Sequence, residues 1–465
     1  MKAGEAGAVV AVVDAMKVHA GSAVVQEQAC SALVRITANN DDNTAKAGSA
    51  GAVEAVVAAM REHAGHVGVQ EKGAHALFFM SGGDNTARMA SAGAGEAVWA
   101  AVAAHPGSMA VLWKAAYVLR LMGRTSPVPA DTVVKAVVEA MTLRLDDAAV
   151  QEAACDELLA MARDDAVSAD VAASVIRAAL AAMAAHPGGK VNLHQSACLL
   201  LGYMTQDACN RAIALEAGAG EAVIASLKAH TDNKYLQEWA CEALASIMPC
   251  SSKLLKKAAW EVVVAAMAAR PGEADLQQEA CAALTVIIAG ANSKMKGSAM
   301  KAVLAAVDAH RDDADVQREA LAALAAITAG ADRKMQNSFA AGIGAAIAAM
   351  GAHGDDEAVQ KQACAVVANL TMKNAANAVK AGGAGIDAAL AAMKAHRRDG
   401  DVQEKACAAL ANLASGAKCD MKARFLAAME AVQAAMKAHK DHPGVQKEAG
   451  AALVNICSAE QGHCQ

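Results

Sequence analysis

The sequence predicts an all-α solenoid of about eleven helical repeats of ~42 residues each, and three observations carry that prediction. Alanine makes up about a quarter of the 465 residues, whereas only 2% are aromatic and seven are proline. Alanine is the best helix former and a poor strand former, so a β-sandwich or barrel is excluded. The four Phe, three Tyr and four Trp are too few to fill one large core; thin helical layers faced with alanine can pack at close range instead. The third observation is self-similarity. The frame VQEKACAAL at 402–410 recurs along the chain, its glutamine position falling at Gln26, Gln70, Leu112, Gln151, His194, Gln237, Gln277, Gln317, Gln360, Gln403 and Gln446, 39 to 44 residues apart.

Within each repeat the elements follow in a fixed order. Several repeats open with a short helix ending in glycine, as in NTAKAGSAGA at 43–52 and NTARMASAGAG at 85–95. A second helix follows; GAVEAVVAAMREH at 51–63 is apolar all round, which predicts near-complete burial. It ends in a basic residue seven positions before the glutamine mark (eight in one case): His19, His63, His105, Arg144, His186, His230, Arg270, His310, His353, His396 and His439. The connecting loop contains Pro-Gly at Pro106, Pro187, Pro271 and Pro443, which stops one helix and turns into the next. The third helix opens on an acidic cap candidate, Asp401, with Glu404 at capping-box spacing. At 122–133, MGRTSPVPADTV replaces the short helix with a proline-bearing loop, and a kink in the solenoid is expected there.

Together these units resemble the armadillo repeat: a short helix, an AGA-type glycine turn, a second helix, then VQ-x-x-AC-x-AL-x-NL. The resemblance covers essentially residues 1–465, read as one domain. The Met-x-x-His ending is similar to the variant in vacuole-associated armadillo proteins and in the armadillo region of leucine-rich-repeat kinases. It implies an armadillo/HEAT-like right-handed α-solenoid whose concave groove holds extended peptides.

Charge and hydropathy narrow the function classes. The net charge is −6, and residues 1–232 carry 17 basic against 24 acidic side chains, so no basic excess points to nucleic acid. The mean hydropathy is +0.23, yet the longest uncharged apolar stretch, Phe339–Ala352, is 14 residues and too short to span a membrane. Glu5 and Asp14 interrupt any signal-peptide core. Twelve cysteines without secretory targeting then read as reduced thiols. The expected location is the cytoplasm, with the nucleus or attachment to a membrane through a partner as alternatives.

Phosphate-loop, nucleophile-elbow, zincin and dinucleotide motifs are absent, so no enzyme activity and no cofactor are expected. The nine histidines of the basic column share their position with Arg144 and Arg270, and arginine does not ligate metals. What both offer is an N–H donor for a helix C-terminus, which predicts capping of their own helices. Seven cysteines (Cys30, Cys155, Cys198, Cys241, Cys281, Cys364 and Cys407) share a column with Ala74, Ala116, Leu321 and Gly450, as expected of core positions. The C-terminal group His439, His442, Cys457, His463 and Cys464 is a mixed cluster without zinc spacing.

The third helix presents positions two, five and nine after the mark on one face, which the resemblance places in the groove. Nuclear-import receptors typically carry Trp at position five and Asn at nine; no tryptophan stands at position five here, which disfavours a transport receptor. The candidate partner-binding residues are Phe79, Tyr117, Leu121, Leu199, Tyr203 and Trp239 in repeats two to six, then an asparagine ladder, Asn369, Asn412 and Asn455. An Asn amide both donates and accepts, so the ladder is suited to a peptide backbone, and its replacement by alanine is expected to leave stability little changed. The function expected is a non-catalytic scaffold that binds extended segments of other proteins. Alternatives are the regulatory armadillo region of a larger kinase-like protein or a nucleocytoplasmic transport adaptor.

Overall fold

A computed structural model describes residues 7–105, 107–122, 128–414 and 422–462. The chain divides into two units, Met1–Ala222 and Val223–Gln465; no strand occurs among the described residues. In the first unit the third helices Ala23–Thr37, Val67–Met80, Met109–Met122, Ala148–Arg163 and Val191–Met204 each pack on the next. The second helices, such as Ala52–Glu62 and Ala94–Ala104, form another layer against them. The second unit repeats the plan, with third helices Lys234–Ile247, Ala274–Ile287, Ala314–Thr328, Glu357–Thr371, Gly400–Leu413 and Pro443–Gly462.

The two layers follow from the apolar pattern. In Ala52–Glu62, residues Val53, Val56, Val57 and Met60 are buried. Glu54, Ala58 and Arg61 are exposed, so the helix keeps one solvent row where burial on all sides was expected. Gly51 precedes it at φ 81°, a left-handed turn that a residue with a Cβ adopts only under strain; this separates it from the short helix Asp41–Ser49. Elsewhere the short and second helices run together into single 17-residue helices, as in Ala169–Ala185 and Lys253–Ala269. The segment expected to kink lies partly outside the described residues, which omit 123–127; the helix resumes at Ala130 behind Pro129. Pro106 is also outside them, and Pro443 stands in the first position of its helix, where a missing N–H costs nothing.

The cysteine column lies in the core: Cys30, Cys155, Cys198, Cys241, Cys281, Cys364 and Cys407 are all buried. Burial pushes the thiols of Cys30, Cys198, Cys364 and Cys407 up to about 12, and those of Cys155 and Cys281 higher still.

The glutamine mark has a physical reason. Gln70 Nε2 donates to Met60 O and His63 O, both at 2.8 Å. Gln360 does the same to Met350 O and His353 O at 2.9 Å, and Gln403 to Met393 O and His396 O at 2.9 and 3.0 Å. One buried amide thus satisfies two carbonyls left open at the end of the second helix. His194 takes over this part by reaching His186 O at 2.9 Å.

This displaces the capping role expected of the basic column. Where such a residue caps its own helix it does so through its backbone N–H, as His63 does to Ala59 O. Side chains of the column reach the preceding repeat instead, as His63 Nε2 lies 2.7 Å from Ala20 O, His353 2.7 Å from Arg311 O, and His439 2.9 Å from Arg397 O, whereas Arg144 pairs with Asp147 of its own repeat at 3.1 Å. Each of those carbonyls belongs to the residue just after the previous basic position. Because a carbonyl only accepts, Nε2 must carry a proton, which both the neutral Nε2–H tautomer and the imidazolium provide. Arginine serves equally, and Arg270 Nη2 donates to Thr231 O at 3.1 Å. The column staples repeats together.

The cap of the third helix also sits elsewhere than expected. Asp399, not Asp401, accepts from Val402 N at 2.7 Å, and Asp147, Asp313 and Asp356 occupy the same place in their repeats. Asp401 lies in the first turn and pairs with Lys361 of the preceding repeat at 3.1 Å.

Candidate partner-binding face

The face two, five and nine residues after the mark is partly exposed in both units, because the packing between successive third helices uses the positions on either side of it. In the first unit Phe79 and Tyr117 are half-buried and Leu121 is exposed. They are joined through Phe78, whose ring centroid lies 4.3 Å from that of Tyr117 and 5.0 Å, edge-on, from that of Phe79. His75 lies 5.0 Å from Phe79, Lys114 Nζ stands 3.9 Å above the Phe78 ring, and the Arg120 guanidinium is 5.0 Å from Tyr117. Leu199 and Tyr203, one turn apart on Val191–Met204, are also half-buried.

Sequence reasoning passed over Phe78 and Lys114. Lys114 occupies position two and was available on the same helical spacing; Phe78 is at position eight, beside the row rather than in it.

Trp239 belongs to the second unit, where it stacks on Tyr235 at 5.9 Å. From the same repeat through the next two this face is acidic, with Glu242, Glu279 and Glu319 all half-buried. Glu279 is pushed up to about 7 by desolvation first, then by Glu242, Glu319, Glu238 and Asp275. Desolvation also leads the upward shifts of Glu238 and Glu319.

The asparagine ladder makes contacts that the sequence reading did not foresee. Asn369 Nδ2 donates to Ala325 O and Thr328 Oγ1, both at 3.2 Å. Asn412 Nδ2 donates to Ala368 O at 3.0 Å, and Asn455 Nδ2 to Ala411 O at 2.9 Å. Each carbonyl lies on the third helix of the repeat before. These amides therefore tie neighbouring repeats together, and the expectation that they can be removed without loss of stability is corrected. A second asparagine position, also unforeseen, does similar work: buried Asn85 donates to Thr44 O and Met80 O, and buried Asn377 to Gln336 O and Leu370 O.

Among the described residues no group of His, Cys, Asp and Glu could hold a metal ion. His439 and His442 stand 6.5 Å apart ring to ring; His463 and Cys464 of the C-terminal group lie outside the described residues. No helix among the described residues is long and apolar enough to cross a membrane.

Residues 290–464 match the family model described as the LRRK2 ARM repeat. Among solved structures, the chain is similar to one from work on a conserved phosphorylation switch that controls the interaction between cadherin and beta-catenin. That likeness has a TM-score of 0.66 at 14% identity and covers 96% of this chain and 94% of the other. No curated protein sequence matches. The repeated short, second and third helices, the recurrent inter-repeat staples and these two matches agree on an all-α solenoid fold of armadillo type.

Proposed function

We propose that the protein is a non-catalytic scaffold that binds extended segments of partner proteins along the exposed face of its third helices. The observation that supports this most is the set of half-buried Phe79, Tyr117, Leu199 and Tyr203 with exposed Leu121 on that face in the first unit, and half-buried Trp239 on the same face in the second. Such side chains offer a rigid, partly dry surface at low entropic cost, as interface anchors do. The third-helix ends of Asn369, Asn412 and Asn455 extend the same face. Both N–H groups of Asn369 are committed within the protein, so its part toward a peptide backbone is acceptance at Oδ1. The solved neighbour is described by an interaction between cadherin and beta-catenin, which supports protein partners for this fold. The twelve thiols suit a reducing compartment such as the cytoplasm.

The match of residues 290–464 to the LRRK2 ARM repeat favours a second reading, in which the chain serves as the armadillo region of a larger kinase-like protein. Sequencing the full transcript separates the two.

The binding reading is tested with a photo-crosslinking amino acid placed at Leu121 or Leu199 on the third-helix face, and at Ala58 on the exposed row of a second helix. Partner segments are expected to crosslink from the first two sites and not from Ala58. Crosslinks from Ala58 alone would overturn the proposal.

A further inference from the structure

We propose that the third-helix face of repeats one to three, from Arg35 to Leu121, docks an acidic extended segment of a partner protein. Aspartate or glutamate side chains of that segment would meet Arg35, Lys72 and Lys114 while an apolar side chain seats beside Phe79. This deepens the scaffold reading and rests on it.

The argument begins with register. Positions two, five and nine are Gln28, Ser31 and Arg35 in the first repeat, Lys72, His75 and Phe79 in the second, and Lys114, Tyr117 and Leu121 in the third. Three fixed cations and a histidine therefore share a face that carries no carboxylate. No ion pair is formed by Arg35, Lys72 or Lys114 among the described residues. Neighbouring carboxylates are engaged elsewhere: Glu71, next to Lys72 in the chain, accepts from Ser108 Oγ at 2.8 Å, and Glu157, whose charge acts on Lys114, pairs with Arg120 at 3.3 Å.

The aromatic ledge then holds these charges in place. Lys114 Nζ rests 3.9 Å above Phe78, a cation–π contact that fixes an otherwise mobile side chain. Partial burial lowers the affinity of Lys114 for its proton, with Glu157 acting against that. His75 is shifted down by desolvation and then by Lys114 and Lys72. The face thus carries partly dehydrated positive charge that forms no ion pair and is opposed at Lys114 only by Glu157, itself paired with Arg120, and an anion seated there would relieve that cost. The sign changes along the chain: repeat four carries Asp156 at position five, and the corresponding positions of repeats six to eight carry Glu242, Glu279 and Glu319.

The test uses the full chain and a fluorescein-labelled peptide of repeating Glu-Leu-Glu-Ser, read by anisotropy at low salt. The peptide is expected to bind, and its counterpart with Lys in place of Glu is not. The double variant Lys72→Glu/Lys114→Glu should weaken binding by about tenfold or more. Lys135→Glu/Arg177→Glu, which changes net charge equally at exposed second-helix positions, should leave it nearly unchanged. Lys72→Gln/Lys114→Gln, with far-UV circular dichroism, separates loss of charge from loss of fold. By NMR, the bound peptide should move the His75 titration upward.

Equal weakening by both charge-reversed pairs, an unmoved His75, or stronger binding of a single-stranded oligonucleotide than of the peptide would overturn the proposal. If the acidic peptide fails while Leu121 still crosslinks partner segments, this inference falls and the scaffold reading stands; if both fail, both fall.

Discussion

Replacing Glu279 by glutamine should stabilise the protein, and only on the alkaline side. Glu279 sits half-buried on Ala274–Ile287 with Glu242 and Glu319 on the flanking third helices, and Glu238 and Asp275 near it. An ordinary glutamate titrates at 4.5; desolvation and these neighbours push this one up to about 7. Between those two values the folded protein holds a proton that the unfolded chain has released, so folding is favoured as pH falls and disfavoured as it rises. The cost is fully present above about 7 and gone below about 4.5. The whole difference corresponds to roughly 3 kcal/mol, but solvent screens a half-exposed group, which leaves about 1–2 kcal/mol. Glu279→Gln keeps the size and removes the charge. Urea unfolding of variant and parent, with hydrogen exchange of the 274–287 amides as the local readout, should show the variant more stable by that amount at pH 8 and equal at pH 5. A gap of the same size at both pH values, or a less stable variant at pH 8, would refute the electrostatic argument.

Further outcomes follow from the staples. Gln360→Ala strips the donors from Met350 O and His353 O and should cost about 2 kcal/mol in chemical denaturation. His353→Ala, which frees Arg311 O at a more exposed site, should cost about 1 kcal/mol, and His353→Arg should recover part of it because Arg270 fills the same place. The triple change Asn369→Ala, Asn412→Ala, Asn455→Ala should lower the melting temperature whether or not a partner is present, and an unchanged melting curve would contradict the inter-repeat hydrogen bonds. A thiol reagent applied to the folded protein should label exposed Cys209 and Cys250 ahead of the seven column cysteines, with mass mapping as the check.

The repeat was fully legible in the sequence because it is written in side-chain volume. Small residues recur where helices cross, so Cys30, Ala74, Ala116 and Cys155 announce one buried column. Hydrogen-bond direction was less legible, because spacing identifies which residue recurs and not whose carbonyl it reaches. His63 stands at a helix end, and capping of that end is the nearest use for its donor; the ring instead spans 43 residues to Ala20 O, and Gln70 takes the orphan carbonyls. The asparagines misled for the same reason. At helical spacing Asn412 shares a face with groove positions, yet its amide turns along the stack to Ala368 O.

That pattern separates two kinds of position within each repeat. The residues that hold the stack (the glutamine mark, the basic staple, the late asparagine) are polar groups whose partners are backbone carbonyls of the same or the preceding repeat. A carbonyl is present whatever the neighbouring side chain, so these positions tolerate sequence change around them and keep the repeat readable. At positions two, five and nine the chain instead changes character from one repeat to the next, from cationic and aromatic at Lys72, Phe79, Lys114 and Tyr117 to acidic at Glu242, Glu279 and Glu319. Selectivity for partners can be altered at Lys72, His75 and Lys114 without disturbing the staples, since these side chains make no hydrogen bond to them among the described residues. In the last three repeats Asn369, Asn412 and Asn455 occupy position nine and serve the stack as well, so changes to the face there carry a loss of inter-repeat hydrogen bonds that changes at Lys72 and Lys114 do not.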